Sequence, residues 1–219
     1  MKGKIVSLKE IMPLVLLVCI AISANTISKV KAQPTVVSIL PASVTISNPG
    51  ETITVDLNIT DVVNMYAYEI KIWYLNSILN ATEVVRPPGH FMEPSDPTKQ
   101  FIPKWEIKNN YNATHGRIWI AFTLLAPESA KTGSGILAKI TFKGLSVGST
   151  PIILNNYPGT QGPVKLADNT GTPIPHTAQD GLITVIPEFP AMAAIMLMLL
   201  LIAAAYALKV IRLKIKGNL

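Results

Sequence analysis

The chain is almost without cysteine. Its 219 residues include one, Cys19, and that residue lies inside an apolar N-terminal segment. If this segment is removed on secretion, the mature protein has no cysteine, which excludes a disulfide framework and thiol chemistry. Lipid attachment to Cys19 is not expected, because Val18 stands where a lipoprotein signal requires a small residue. The fold must therefore be stabilised by an ordinary hydrophobic core.

Histidines and clustered acidic residues are also scarce. The chain has three histidines: His90, His115 and His176. They are far apart, and none has the spacing of a metal ligand. Asp168 and Asp180 could flank a calcium-binding loop, but two acids without a helix–loop pattern are weak support for one. Glu83 and Glu106 are not placed as a glycosidase pair by any pattern, and no nucleophile elbow or phosphate loop is found. The sequence therefore predicts neither an enzyme nor a cofactor or metal site.

Charge is concentrated at the two ends of the chain. The formal net charge is +6, yet residues 33–186 contain ten Lys or Arg and eleven Asp or Glu, a balance of −1. This even balance is not the basic surface expected of a nucleic-acid-binding domain. The basic ends indicate membrane topology instead.

The first 32 residues have the pattern of a secretory signal peptide. A lysine-bearing start precedes an apolar stretch over 11–24, and Val30-Lys31-Ala32 supplies a cleavage site. Cleavage after Ala32 would leave Gln33 as the first mature residue. An uncleaved N-terminal anchor is the alternative.

Residues 191–208 form an uninterrupted apolar run that is followed by basic residues. About 20 apolar residues suffice for a helix to cross the hydrocarbon core, and Lys or Arg beyond the span hold that end in the cytoplasm. The sequence thus predicts a Pro-Glu-Phe-Pro linker at 187–190, a transmembrane helix at 191–211 and a basic cytoplasmic tail at 212–219. We expect a single-pass protein of the cell membrane with residues 33–186 outside the cell.

The central segment, 33–186, alternates as β-strands do. Apolar residues occupy every second position of the clearest strands, which are 52–59, 66–74, 117–124, 135–142 and 181–185. Turn signals such as Asn48-Pro-Gly50 separate them, and no amphipathic helix is found in this segment. About nine short strands at this spacing predict an all-β fold, an antiparallel β-sandwich in one domain.

Four strings of this segment resemble, in the correct order, those of cohesin modules. They are Ile46-Ser-Asn-Pro-Gly-Glu-Thr-Ile-Thr-Val-Asp-Leu-Asn-Ile59, Tyr66-Ala-Tyr-Glu-Ile-Lys-Ile-Trp-Tyr74, Gly135-Ile-Leu-Ala-Lys-Ile-Thr-Phe142 and Ile174-Pro-His-Thr-Ala-Gln-Asp-Gly-Leu-Ile-Thr-Val185. The similarity covers about 36–185. It implies a nine-stranded jelly-roll β-sandwich, related in fold to some carbohydrate-binding modules. It also implies binding of dockerin domains, which are small calcium-loaded helical modules of secreted enzymes.

The C-terminal region resembles a second known element. Pro187-Glu-Phe-Pro190, the apolar run and the basic tail together are similar to an archaeal C-terminal sorting signal. In such signals a membrane transpeptidase replaces the helix with a lipid anchor. A plain single-span anchor is the alternative.

The resemblance implies that the partner binds one exposed sheet, which maps onto 66–74, 101–107 and 117–124. Alternation then points five side chains outward from two of these strands: Glu69, Lys71, Trp73, Arg117 and Trp119. Exposed Trp and Arg are enriched in protein-binding hot spots, and Trp rings also stack on sugars. The sequence therefore predicts a face that binds a protein or a glycan.

Two features could hide this face. The insertion over 86–104 could cover both tryptophans, or a register error of one residue could bury them. Trp105 shares the parity of Ile107 and is expected in the core.

Three Asn-x-Thr sequons lie in the predicted external domain. They are predicted N-glycosylation sites: Asn58, Asn80 and Asn112. Taken together, the sequence predicts a surface-anchored binding module whose partner is a dockerin-type or other envelope protein. Polysaccharide binding by the same aromatic residues, and a purely structural role in the cell envelope, are the alternatives.

Overall fold

The computed structural model describes residues 34–96, 98, 100–101, 105–154, 157, 162–187 and 191–217. These ranges contain thirteen β-strands and one helix. The elements are β1 (Thr35–Leu40), β2 (Ser43–Ile46), β3 (Thr52–Met65), β4 (Ala67–Leu75), β5 (Leu79–Val85), β6 (Gln100–Phe101), β7 (Trp105–Lys108), β8 (His115–Leu124), β9 (Lys131–Gly144), β10 (Gly148–Ile152), β11 (Val164–Ala167), β12 (His176–Gln179), β13 (Gly181–Val185) and α1 (Ala191–Gly217). The predicted signal peptide and residues 188–190 of the predicted linker lie outside the described residues.

The strands form two five-stranded sheets and a smaller three-stranded sheet. The first large sheet has the order β12-β1-β3-β9-β5, and the second has the order β11-β4-β8-β6 with β7 also paired to β8. The small sheet has the order β10-β13-β2. Most neighbours are antiparallel, but β12 runs parallel to β1 and β13 runs parallel to β2. The all-β prediction is confirmed, whereas the purely antiparallel arrangement is not found.

The number of strands also differs from the expected nine. Pro41 follows β1, and because proline has no N–H to donate, pairing stops there. The chain resumes at Ser43 as β2, which pairs with β13 in the small sheet and not with the neighbours of β1. The start of the domain therefore contributes two short strands to two different sheets.

Side chains from both large sheets meet in one hydrophobic core. Leu57 and Phe142 enter it from the first sheet, and Ile72 and Ile120 enter it from the second. The residues predicted to point inward from β4 and β8 are all buried: Tyr68, Ile70, Ile72, Tyr74, Ile118, Ile120, Phe122 and Leu124. This confirms the register predicted from alternation. The intervening residues of these strands must then lie on the opposite side of the sheet, away from the core.

The C-terminal apolar run forms α1, and the helix continues to Gly217. Within the described ranges, no helix has both the length and the apolar character required to cross a membrane. The predicted transmembrane helix over 191–211 is therefore not supported, although a helix forms there.

Candidate binding face

The second large sheet presents an outer side built from three rows of residues. Strand register places Lys71 beside Trp119 and Trp119 beside Glu106, so Trp119 occupies the middle of the central row. We call this surface the outer face and define it by eight residues: Glu69, Lys71, Trp73, Glu106, Lys108, Arg117, Trp119 and Lys165. All five residues predicted from the sequence thus lie on the same side of this sheet.

Trp119 lies half-buried at the centre of the outer face. Its indole Nε1 donates a hydrogen bond to Glu69 Oε1 at 3.1 Å. Glu69 also pairs with Lys71 Nζ at 3.1 Å and with Lys165 Nζ at 3.4 Å. The indole is therefore fixed in orientation by a carboxylate that two lysines hold, one at each oxygen.

The same contacts set the ionisation of Glu69. Partial burial favours the neutral acid, but the hydrogen bond and charge of Lys71, the charge of Lys165 and the Trp119 N–H outweigh it. The pKa of Glu69 is consequently lowered from its usual value. At neutral pH this carboxylate is ionised and holds the centre of the outer face in place.

The lowered pKa of Glu69 predicts a pH dependence. When the pKa of a carboxyl group is lower in the folded than in the unfolded protein, ionisation of that group stabilises the fold. This stabilisation is complete at pH values above the pKa in the unfolded protein, and it is lost as the pH falls through the pKa in the folded protein. We expect the pH dependence of the free energy of unfolding to become weaker below about pH 4.5 in Glu69→Gln, as chemical denaturation at several pH values would measure. Glu83→Gln, at an exposed carboxylate on β5, is the control. An equal change in both variants would contradict the assignment.

A second ion cluster lies at the β7 side of the outer face. Arg117 Nη2 approaches Glu106 Oε2 at 2.7 Å, and Lys108 Nζ approaches Glu106 Oε1 at 2.8 Å. The guanidinium of Arg117 also lies 4.2 Å from the centre of the Tyr111 ring. The hydrogen bond from Lys108 is the main cause of a lowered pKa at Glu106, and Arg117 adds to it. The outer face therefore holds ordered charges, with four cations against two carboxylates.

Trp73 lies on the predicted face, but the prediction that it is exposed is wrong. Its side chain is 1% exposed, because the Tyr157 ring stacks on it at 4.6 Å between ring centres with an angle of 1°. Tyr157 is held in turn by Asn112 Nδ2, which donates to its hydroxyl at 2.7 Å, and by an edge contact with His115. The cover comes from a residue far along the chain and not from the described part of the insertion over 86–104.

The insertion packs elsewhere. Phe91 N donates to Ile136 O on β9 at 2.7 Å, and Met92 is fully buried. His90 is buried against Phe122, and burial, with Arg86 nearby, lowers its pKa. The described part of the insertion therefore contributes to the core and leaves Trp119 uncovered.

Trp105 is exposed, which corrects the expectation that it is in the core. It is the first residue of the four-residue strand β7, and its ring is 45% exposed beside Arg86 at 5.9 Å. Ile107 has the same parity and does pack against the core. Parity alone therefore misplaced the side chain of Trp105.

The residues considered for metal binding do not form a site. Asp168 Oδ1 accepts hydrogen bonds from Thr170 and Thr172 within its own turn. Asp180 accepts the backbone N–H of Leu154. His176 contacts the carbonyl oxygens of Ile174 and Val164. In the part of the chain that the structure describes, no cluster of His, Cys, Asp or Glu could hold a metal ion.

Several residues of the site were not identified from the sequence. Glu106, Lys108 and Lys165 could have been placed on the outer face by parity, once the pairing of β7 and β11 was known. Tyr157 carries no local signal, because it lies outside the strands and reaches Trp73 only through tertiary structure.

Comparison with known proteins identifies the fold. A family model of the cohesin domain matches residues 36–185. Similar solved structures include a type II cohesin domain from the cellulosome of Acetivibrio cellulolyticus, at 17% identity over 68% of this chain and 95% of that chain, with a TM-score of 0.54. CaCohA2 from Clostridium acetobutylicum is 24% identical over 72% of this chain and 94% of that chain, with a TM-score of 0.52.

A third similar structure contains a partner. It is a type I cohesin–dockerin complex from Clostridium thermocellum, at 15% identity over 70% of this chain and 99% of that chain, with a TM-score of 0.50. Comparison with curated proteins gave no match. The family model covers well over half of the sequence, and the chain therefore belongs to the cohesin-domain family.

Proposed function

We propose that this chain is a non-catalytic, cell-surface binding module that docks a protein partner on the outer face. The partner is a dockerin-type module or another protein of the cell envelope. The observation that carries the proposal is the position of Trp119, half-buried at the centre of the face and oriented by Glu69. Binding hot spots typically combine a central Trp with Arg and a polar rim, which is the composition found here.

The ordered ion pairs support binding over catalysis. Glu69 and Glu106 are each held by two basic side chains, and both have lowered pKa values. A general acid at neutral pH needs a raised pKa instead. A rigid surface whose side chains are already oriented loses little conformational entropy when a partner docks.

Protein docking is favoured over the stacking of sugar rings. Sugar recognition by the predicted pair requires two open indole faces, and the ring of Trp73 is occupied by Tyr157. Only Trp119 of this pair has an accessible surface, and it is surrounded by charges. A charged surface of this kind suits a protein surface of complementary charge.

The charge balance of the outer face indicates a partner of opposite sign. Two more cations than carboxylates lie on it, so it should attract an acidic surface and steer its approach. We expect Lys165→Glu to lower the association rate roughly 3- to 10-fold at low ionic strength, because Lys165 is exposed and borders Glu69. Stopped-flow or surface-based kinetics would measure this rate, and the difference should shrink at high salt. Lys143→Glu, on β9 of the other sheet, is the matched control; an equal effect of both variants would contradict steering by this face.

The direct test uses a purified dockerin-bearing or envelope protein secreted by the same organism. The full chain is titrated with it, beside variants of the outer face, and binding is measured by calorimetry. Saturable binding that depends on Trp119 supports the proposal. Binding that is indifferent to every substitution on the outer face excludes this surface.

The proposed location is the outside of the cell. It is supported by the signal-peptide pattern of the first 32 residues and by the near-neutral charge of residues 33–186 between two basic ends. Protease treatment of intact cells tests it. Degradation of the domain in intact cells is expected, and protection until lysis would contradict the location.

A further inference from the structure

The three sequons occupy different structural settings. Asn58 lies in β3, which is paired with β1 on one side and β9 on the other. Asn80 lies in β5 and is paired with Lys143 of β9. Asn112 lies in the turn between β7 and β8, and residues 112–114 are all exposed. An enzyme that reads Asn-x-Thr must bind the backbone of the sequon, so an exposed turn is far more accessible than a paired strand.

The side chain of Asn112 is held in one orientation at the surface. Its Oδ1 accepts hydrogen bonds from Thr114 N at 2.9 Å and from His115 N at 2.8 Å. The Thr114 hydroxyl lies 3.2 Å from the same oxygen, so the two sequon side chains are in contact. Nδ2, the atom that would receive a sugar, points away from these contacts to the Tyr157 hydroxyl at 2.7 Å.

We propose that Asn112 is the glycosylated sequon of this protein and that its glycan borders the outer face and limits access to it. In the transfer, a bond forms between Asn112 Nδ2 and the anomeric carbon of a lipid-linked sugar phosphate. The bond from that carbon to the phosphate oxygen breaks, and the phosphate leaves with its electron pair. Nδ2 releases one proton to solvent and keeps the other, which remains free to donate to Tyr157.

The position of Asn112 explains why its glycan would affect the outer face. Asn112 contacts Tyr157, which stacks on Trp73 of that face. His115 begins β8 next to this contact, and Trp119 follows four residues later, about 13 Å along the strand. A chain of a few sugars spans that distance, so it can reach Arg117 and the rim of the docking surface. This second half of the inference rests on the proposed docking function, whereas the choice of Asn112 does not.

The first experiment is peptide mass spectrometry of the full protein isolated from its own cells. Sugar is expected on the peptide that contains Asn112, at higher occupancy than on those that contain Asn58 or Asn80. Thr114→Ala should abolish it, while Thr114→Ser, which keeps the hydroxyl and the sequon, should retain it. An unmodified Asn112, or higher occupancy at Asn58 or Asn80, would overturn the assignment.

The second experiment compares partner affinity with and without the glycan. The glycosylated protein is expected to bind at least 3-fold more weakly than Thr114→Ala from the same cells. The two should bind alike when both are made without glycosylation, which separates the effect of the sugar from that of the substitution. Equal affinity of the two proteins from native cells would contradict the access role. If Trp119→Ala leaves binding intact, the docking function fails, but the assignment of Asn112 stands on its own occupancy data.

Discussion

Replacing Trp119 by Ala is expected to weaken partner binding by about 30-fold or more, the effect of losing a hot-spot residue worth ~2 kcal/mol. Trp119 is the central residue of the outer face, between Lys71 on β4 and Glu106 on β7. Its removal takes away the largest apolar contact of that surface. It also removes the N–H that orients Glu69. Titration calorimetry with a purified partner would measure the change in the dissociation constant.

The chain offers a matched control for this substitution. Trp105 is also an exposed tryptophan of the same sheet, but it has inward parity and lies beside Arg86, off the outer face. Trp105→Ala should leave the dissociation constant within about 2-fold of the native value, because rim and remote positions contribute little to binding. Circular dichroism and thermal unfolding would establish that both variants are folded. Equal losses in the two variants would show that the effect does not arise from docking on the outer face.

Gly116→Ala is expected to lower the free energy of unfolding by ~1–3 kcal/mol, the range measured for overpacked cores. Gly116 lies opposite Tyr74 in the β4–β8 pair, and a Cβ at this position would overlap the Tyr74 ring. That ring cannot move freely. Its hydroxyl donates to Asn109 Oδ1, and Asn109 is also bonded to the backbone of Ala81 on β5. Burial raises the pKa of Tyr74 to about 12, so the hydroxyl remains a donor at physiological pH.

A double-mutant cycle tests the cause of this loss. Tyr74→Leu alone should destabilise the protein, because it deletes a buried ring and its hydrogen bond. In that background Gly116→Ala should cost clearly less than in the native protein, since the overlapping atoms are gone. Chemical denaturation would give all four free energies. A cost of Gly116→Ala that is the same in both backgrounds would exclude steric overlap with Tyr74 as its cause.

Most of the fold could be predicted from the alternation of apolar and polar side chains along the strands. It placed Ile70 and Ile72 inside and Glu69 and Lys71 outside, because a strand with one buried face permits a single register. The resemblance to cohesin modules then brought β4, β7 and β8 together as neighbours, as the sheet order shows. These features depend on the local alternation of residues and on the strand order of a known family, and both can be recognised from the sequence.

The exposure of Trp73 and Trp105 could not be predicted from this alternation. Parity gives the side of a sheet on which a residue lies, but not what else packs there. Trp73 is outward and yet covered by Tyr157, and Trp105 is inward and yet exposed at a strand end. The cover over Trp73 depends on a contact between segments that are distant in sequence. Ion pairs such as Lys165–Glu69 depend likewise on which strands become neighbours.

Hydroxyl-radical footprinting of the full chain with and without a bound partner tests the central claim most directly. Docking on the outer face predicts that oxidation of Trp119 falls severalfold in the complex, while that of Trp105 is unchanged. Tyr111, exposed beside Arg117 at the rim of the same face, should also be protected. A saturated complex in which Trp119 is oxidised as readily as in the free protein would contradict the claim, because the partner would then be bound elsewhere.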